Sequence, residues 1–282
     1  MNNIEIVDTH VHFWDPSILE YPWLKDAPVL DDRFSLDEFK AATEGFNIKS
    51  KVFVECNCNP VQNVQEVDWI ESLAQSDSGI KGIVAYADML DHETLQKRLD
   101  DFKTRPLVKG IRHNIQFNPA GFATDDDFAE GVSKVLNSGL HFELCLTHDQ
   151  LDECIELVKR LPSGPLIIDH CAKPGIKAGL IDDWKKGMEE LAENENVYCK
   201  ISGLLTEADH TQWKSDEFRP YMDHVLHVFG IDRILFGGDW PVSTLAGGYM
   251  SWCNVIDEWT KHWEAKDKNQ FFVRNAEKFY RL

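Results

Sequence analysis

The chain has 282 residues, 43% of them hydrophobic, enough to fill a sizeable core and close to the roughly 250 residues of a single (β/α)8 barrel. A formal net charge of −19 with no basic stripe argues against a nucleic-acid partner, and no run of about 18 apolar residues suggests a membrane span. The opening "MNNIEIVDTH" has neither a basic nor an apolar leader region, and an odd set of seven cysteines sits mostly in apolar runs such as "FELCL", so a cytoplasmic protein with reduced core thiols is expected.

Eight short β-branched or apolar runs follow one another along the chain, at 4–13, 51–56, 81–87, 107–112, 141–146, 165–170, 197–202 and 233–240. Between them lie segments of helical period, such as "DQLDECIELVKRL" and "IDDWKKGMEELAENE", with apolar residues three and four apart and charge on the other face. Strand–helix alternation of this kind calls for parallel strands with helical crossovers. Eight units predict a closed (β/α)8 TIM barrel, one α/β domain over 1–282. An open doubly wound sheet would want a glycine-rich phosphate turn after the first strand, where this chain has histidines instead.

The first run, "IEIVDTHVHF", ends in His10 and His12. Residues two apart on a strand share a face, so both are expected at the barrel mouth as metal ligands or acid–base groups. Chance alone gives about 0.4 such pairs in a chain with this many histidines, and a pair of hydrogen-bonded core histidines is the plainer alternative. The long tryptophan- and proline-containing stretch 14–50 is expected over the C-terminal face of the barrel, where loops carry function. His170 closes the sixth run, "PLIIDH", and Asp239 closes the eighth, "RILFGGDW". Strand eight neighbours strand one in a closed barrel, so Asp239 is expected beside His10 and His12, unless it only caps the following helix. Gly237 and Gly238 allow close approach of backbone or ligand. "ECNCN" is not a paired zinc-ribbon motif. His224 and His227, three apart in "HVLHVF", read as part of an outer helix rather than a metal site, and "NQFFVRNAEKFYRL" as a closing helix packing through Phe279 and Tyr280.

Taken together, "VDTHVHFWDP", "LVKGIRHNIQ", "LIIDHCAKP", "VYCKISGLLTEAD" and "ILFGGDWPV" resemble the amidohydrolase superfamily, and within it the sugar-lactonase branch of L-fuconolactonase, L-rhamnonolactonase and 2-pyrone-4,6-dicarboxylate lactonase. The resemblance runs from residue 4 to the C-terminal end. It implies a barrel that opens a small lactone, with Asp239 as general base on water and His10, His12 and His170 binding a metal or polarising the carbonyl. It departs from the binuclear members, which have a bridging lysine or carboxylate on strand four and a histidine on strand five. Lys109 lies too early in its run, and His148 just past its strand. One divalent ion, zinc or manganese, on His10, His12 and Asp239, or no metal at all, is the expectation. Substrate contacts are expected from Arg112 and His113, Lys200, Glu55, and an apolar wall of Trp14 and Trp23, with Tyr21 packing beneath. An acid partner for Arg112, or an outward-facing Lys200, are the structural alternatives. The competing functions are a metal-dependent decarboxylase of an aromatic or heterocyclic acid and a sugar-acid-binding barrel without turnover. A monomer or homodimer fits either.

Overall fold

The computed structural model describes residues 4–282. Eight parallel strands run in the order β1-β2-β3-β4-β5-β6-β7-β8: β1 (Glu5–Val11), β2 (Asn47–Val54), β3 (Ile80–Tyr86), β4 (Val108–Arg112), β5 (His141–Leu144), β6 (Leu166–Ile168), β7 (Val197–Ile201) and β8 (Ile234–Phe236). The ring closes between β1 and the segment after β8. Val11 bridges Trp240 in parallel, the His12 N–H donates to the Trp240 carbonyl at 2.8 Å, and the Asp239 N–H donates to the His10 carbonyl at 2.8 Å. This closure explains the glycine pair. A Cβ on Gly237 would lie 2.8 Å from the His10 Cβ, and one on Gly238 would lie 2.2 Å from the Tyr249 ring. The two glycines let β8 approach β1 and its covering helix; their close neighbours are protein atoms.

Helices cover the strands. They are α1 (Leu36–Ala42), α2 (Asn63–Ser76), α3 (His92–Phe102), α4 (Asp126–Asn137), α5 (Leu151–Arg160), α6 (Asp182–Ala192), α7 (Ser215–Phe229) and α8 (Gly248–Thr260), with α9 (Ala265–Asn269) and α10 (Asn275–Tyr280) at the end. In α5 the buried residues Leu151, Cys154, Ile155 and Val158 follow the three- and four-residue spacing of one helical face. Asp125 caps α4 by accepting from the Asp127 and Phe128 N–H groups at 2.9 and 3.1 Å, using donors a helix start leaves unpaired.

All the expected strands but β4 end earlier in the structure than in the sequence reading, and this moves several candidate residues off their strands. β6 stops at Ile168 and β8 at Phe236, so His170 and Asp239 stand on irregular backbone beyond the strands. β2 begins at Asn47 and stops at Val54, before Glu55. The C-terminal segment does more than close the outer layer. Phe279 and Tyr280 pack on His141 at the start of β5, and the Tyr280 hydroxyl donates to Glu143 Oε1 inside the barrel at 2.8 Å. All seven cysteines are free and buried. Among the described residues no helix is long and apolar enough to cross a membrane.

Candidate active site

A cavity of about 730 Å³ opens over the C-terminal ends of the strands. Its apolar lining comes from Trp14, Pro22, Trp23 and Ala27 in the long segment after β1 and from Val242 after β8. That segment is pinned by an antiparallel bridge between Trp14 and Phe34. The Trp14 indole N–H donates to the Leu30 carbonyl at 3.1 Å, and that of Trp23 to the Cys56 carbonyl at 2.8 Å. The polar lining comes from Asn57, Arg112, His113, Asn114, Gln116 and Asn118. Phe117 stands at the mouth, 88% exposed, on a left-handed backbone at φ 69°, a costly conformation for a bulky residue.

At the floor four side chains meet. His10 Nε2 and His12 Nε2 are 3.1 Å apart. Asp239 Oδ1 lies 3.9 Å from His10 Nε2, 3.7 Å from His12 Nε2 and 3.9 Å from His170 Nε2. His12 Nδ1 faces the Val54 carbonyl oxygen at 2.8 Å, which requires a proton on Nδ1 and leaves a lone pair on Nε2. His170 Nδ1 meets the Ser202 hydroxyl at 2.9 Å. Burial, with Lys200 nearby, pushes the His10 imidazole well below its usual range. Burial likewise lowers His170 to about 4. Both rings are neutral at physiological pH and offer lone pairs. Burial alone would raise Asp239, but His170, His12 and Lys173 outweigh it and hold the carboxyl below its ordinary range.

This donor set fits a small divalent cation. A tetrahedral zinc with ligands at about 2.0–2.1 Å separates its ligand atoms by roughly 3.3 Å, near the spacings seen among His10, His12 and Asp239. His10, His170 and Asp239 converge within 4.8 Å, and so does a second triad, Cys145, Asp169 and His170. Its Asp169 already faces Lys200 at 2.9 Å and Arg112 at 3.2 Å. Lys109 points away, toward the Arg281 carbonyl oxygen at 3.4 Å. His148 Nδ1 meets the Lys173 carbonyl at 3.1 Å. His224 is held by the Lys185 carbonyl at 3.2 Å, on the outer helix α7.

The expected substrate contacts divide. Trp14, Trp23, Arg112 and His113 line the cavity; Glu55 and Lys200 do not. Both of the latter are fully buried in a charge network beneath the floor. Lys200 Nζ contacts Glu143 at 2.6 Å and Asp169 at 2.9 Å. Arg112 Nε donates to Glu55 Oε1 at 2.6 Å, and its terminal nitrogens reach the Glu55 carbonyl at 2.6 Å and Asp169 at 3.2 Å. Burial opposes ionisation of Asp169, yet Lys200, His10 and Arg112 hold it well below the carboxylate range. The sequence reading missed Asp169, Glu143, Lys173 and the amide side chains of Asn57, Asn114, Gln116 and Asn118. Asp169 had a signal, since it precedes His170 at the end of an apolar run. The asparagines had none, because single amides in loops carry no period.

The family model described as an amidohydrolase matches residues 7–282. The chain belongs to the amidohydrolase family. It is 26% identical to an L-fucono-1,5-lactonase of Burkholderia multivorans, over 98% of this chain and 96% of that protein. It is 28% identical to a 4-sulfomuconolactone hydrolase of Rhizobium radiobacter, over 84% of this chain and 75% of that protein. A crystal structure of a Burkholderia multivorans amidohydrolase with bound zinc superposes with a TM-score of 0.89 at 25% identity, covering 99% of this chain and 100% of the other.

Proposed function

We propose that this amidohydrolase hydrolyses the ester bond of a small lactone, and that the lactone is an uncharged polyhydroxy one, an aldonolactone. Asp239 carries the reading. It is a buried carboxylate kept ionised among three imidazoles, on the floor of a cavity lined by apolar and amide side chains. The similarity to lactone hydrolases over nearly the whole chain supports it.

In this reading Asp239 orients a water and takes its proton as the oxygen attacks the lactone carbonyl. His10, His12 and Asp239 would hold a divalent ion such as zinc, which would polarise that carbonyl and acidify bound water. His170, fixed by Ser202, faces the same carboxylate and keeps it oriented. The charge balance of the cavity supports an uncharged substrate. Among the described lining residues the two cationic ones, Arg112 and Lys173, each already face a carboxylate, Glu55 at 2.6 Å and Glu207 at 3.6 Å. A sulfonated or dicarboxylated lactone would meet no uncompensated cation. The amides of Asn57, Asn114, Gln116 and Asn118 suit sugar hydroxyls, since each offers both donor and acceptor, and Trp14 and Trp23 suit an apolar ring face.

Proton release from a panel of aldonolactones, with and without chelator, tests this directly. The expected result is turnover of at least one of L-fucono-, L-rhamnono-, L-galactono- or D-arabinono-lactone, lost on chelation and restored by zinc or manganese. Turnover unchanged by chelation would remove the metal and leave Asp239 and the imidazoles. No turnover of any lactone, with carbon dioxide released from an aromatic acid, would replace the reading with decarboxylation.

A further inference from the structure

The turn after β6 has an unusual backbone. His170, Cys171, Ala172 and Lys173 have φ of 52°, 53°, 57° and 43°, four consecutive non-glycine residues in the left-handed region. Each such residue costs about 1–2 kcal/mol, and strain of this kind persists where the surroundings impose it. The Lys173 N–H closes the turn on the His170 carbonyl at 2.9 Å. With about three residues per turn, positions i and i+3 lie one above the other. The turn thus sets His170 and Lys173 on one side, and both line the cavity with Asp239.

Lys173 is 19% exposed on its side chain, and its ammonium stands 3.6 Å from Glu207. At that distance Glu207 compensates the charge and engages no more than one of the three N–H donors. Burial pulls this ammonium down, but Cys145, Glu207 and Asp239 outweigh burial and the nearby Arg112 and hold it above the usual lysine range. It therefore stays protonated at neutral pH. It is still far more acidic than an aliphatic alcohol, whose alkoxide is about as basic as hydroxide, the conjugate base of water with pKa about 15.7.

We propose that Lys173 is a second catalytic residue, whose ammonium gives a proton to the ring oxygen that leaves as the lactone opens. The proposal rests on the lactonase reading above. Water forms the new C–O bond and passes one proton to Asp239. The bond from the carbonyl carbon to the ring oxygen breaks, and that oxygen takes a proton from Lys173. Asp239 then returns its proton to the Lys173 amine. The product leaves as a hydroxy acid that ionises in solvent. Glu207 is a positioning residue that aims the ammonium into the cavity.

The test compares wild type, Lys173→Met and Lys173→Arg on an accepted aldonolactone and on dihydrocoumarin. The first expels an alkoxide; the second expels a phenoxide, whose conjugate acid has a pKa of about 10 and needs little protonation. Lys173→Met should lower kcat on the aldonolactone by about 10²–10³-fold and on dihydrocoumarin by less than about tenfold. Lys173→Arg should stay as slow as the Met variant on the aldonolactone, because a guanidinium keeps its proton. Equal losses on both substrates, or full rescue by arginine, would overturn the assignment. Should wild type reject dihydrocoumarin, the pH profile of kcat on the aldonolactone decides. An alkaline limb present in wild type and absent in Lys173→Met supports the proposal, and the same profile in both overturns it. A wild type that opens no lactone overturns the lactonase reading itself, whereas an active enzyme without the leaving-group split overturns only the role of Lys173.

Discussion

Lys200, at β7, and Lys173, in the turn after β6, carry the same ammonium into opposite settings. Lys200 is wholly buried and makes contacts of 2.6 and 2.9 Å to Glu143 and Asp169, with the Tyr280 ring 5.8 Å away. Its charge is fully committed inside the barrel. Lys173 stands at the cavity wall, opposite one carboxylate at 3.6 Å, with N–H donors left for a substrate. The first belongs to a charge lattice that also holds Arg112, Glu55 and Asp169, and through His10 Nδ1 at 3.2 Å that lattice fixes one imidazole of the floor. The second faces the space a substrate would occupy. A buried ion network is weak evidence for stability as such, yet breaking one side of it is costly because the remaining charge is left uncompensated. Loss in the lattice beneath the floor should therefore appear as lost folding free energy, and loss at the cavity surface, floor or wall, as lost turnover.

The sharpest test of that division is Asp239→Asn. It should lower kcat on an aldonolactone by about 10³–10⁴-fold while the thermal midpoint stays near wild type; a variant with near wild-type turnover would remove Asp239 as the base. Lys200→Met comes next, with an expected loss of about 3–5 kcal/mol in urea unfolding, partly recovered by adding Glu143→Gln. If Lys200→Met folded as stably as wild type, the lattice would not be the structural element described here. Tyr280→Phe removes one hydrogen bond to Glu143 and should cost about 1.5–3 kcal/mol with kcat unchanged, since Tyr280 lies on the far side of the floor.

The smallest effect concerns Glu66, fully buried beside Cys56. Burial, aided by Glu55, pushes its carboxyl well above the usual range. The folded state then holds a proton that the unfolded chain has lost, so stability falls as pH rises above the ordinary glutamate value toward the folded one. Glu66→Gln should match wild type near pH 4 and exceed it at pH 8, in thermal unfolding followed across that range. Parallel pH curves for the two proteins would mean that Glu66 is ionised in the folded state.

The eightfold alternation of apolar runs and helical periods already specified a closed barrel, because parallel strands with helical crossovers leave few other ways to bury both faces of a sheet. His10 and His12 were legible because a strand's period of two puts them on one side. Asp239 was legible because closure joins the last strand to the first. Local pattern could not say that Lys200 and Glu55 lie under the floor while Lys173 lies in the wall. All three are charged residues at or near strand ends, and in sequence they look alike. Which of them meets solvent depends on where each strand stops and how the chain turns afterwards. β6 ends at Ile168 and then winds left-handed through Lys173, a conformation that no residue type in "DHCAKP" prefers. The barrel was determined by the sequence alone because periodicity is local. The division between buried lattice and reactive wall was decided only in the tertiary structure, where burial and pairing between residues far apart in the chain set the environment of each charge.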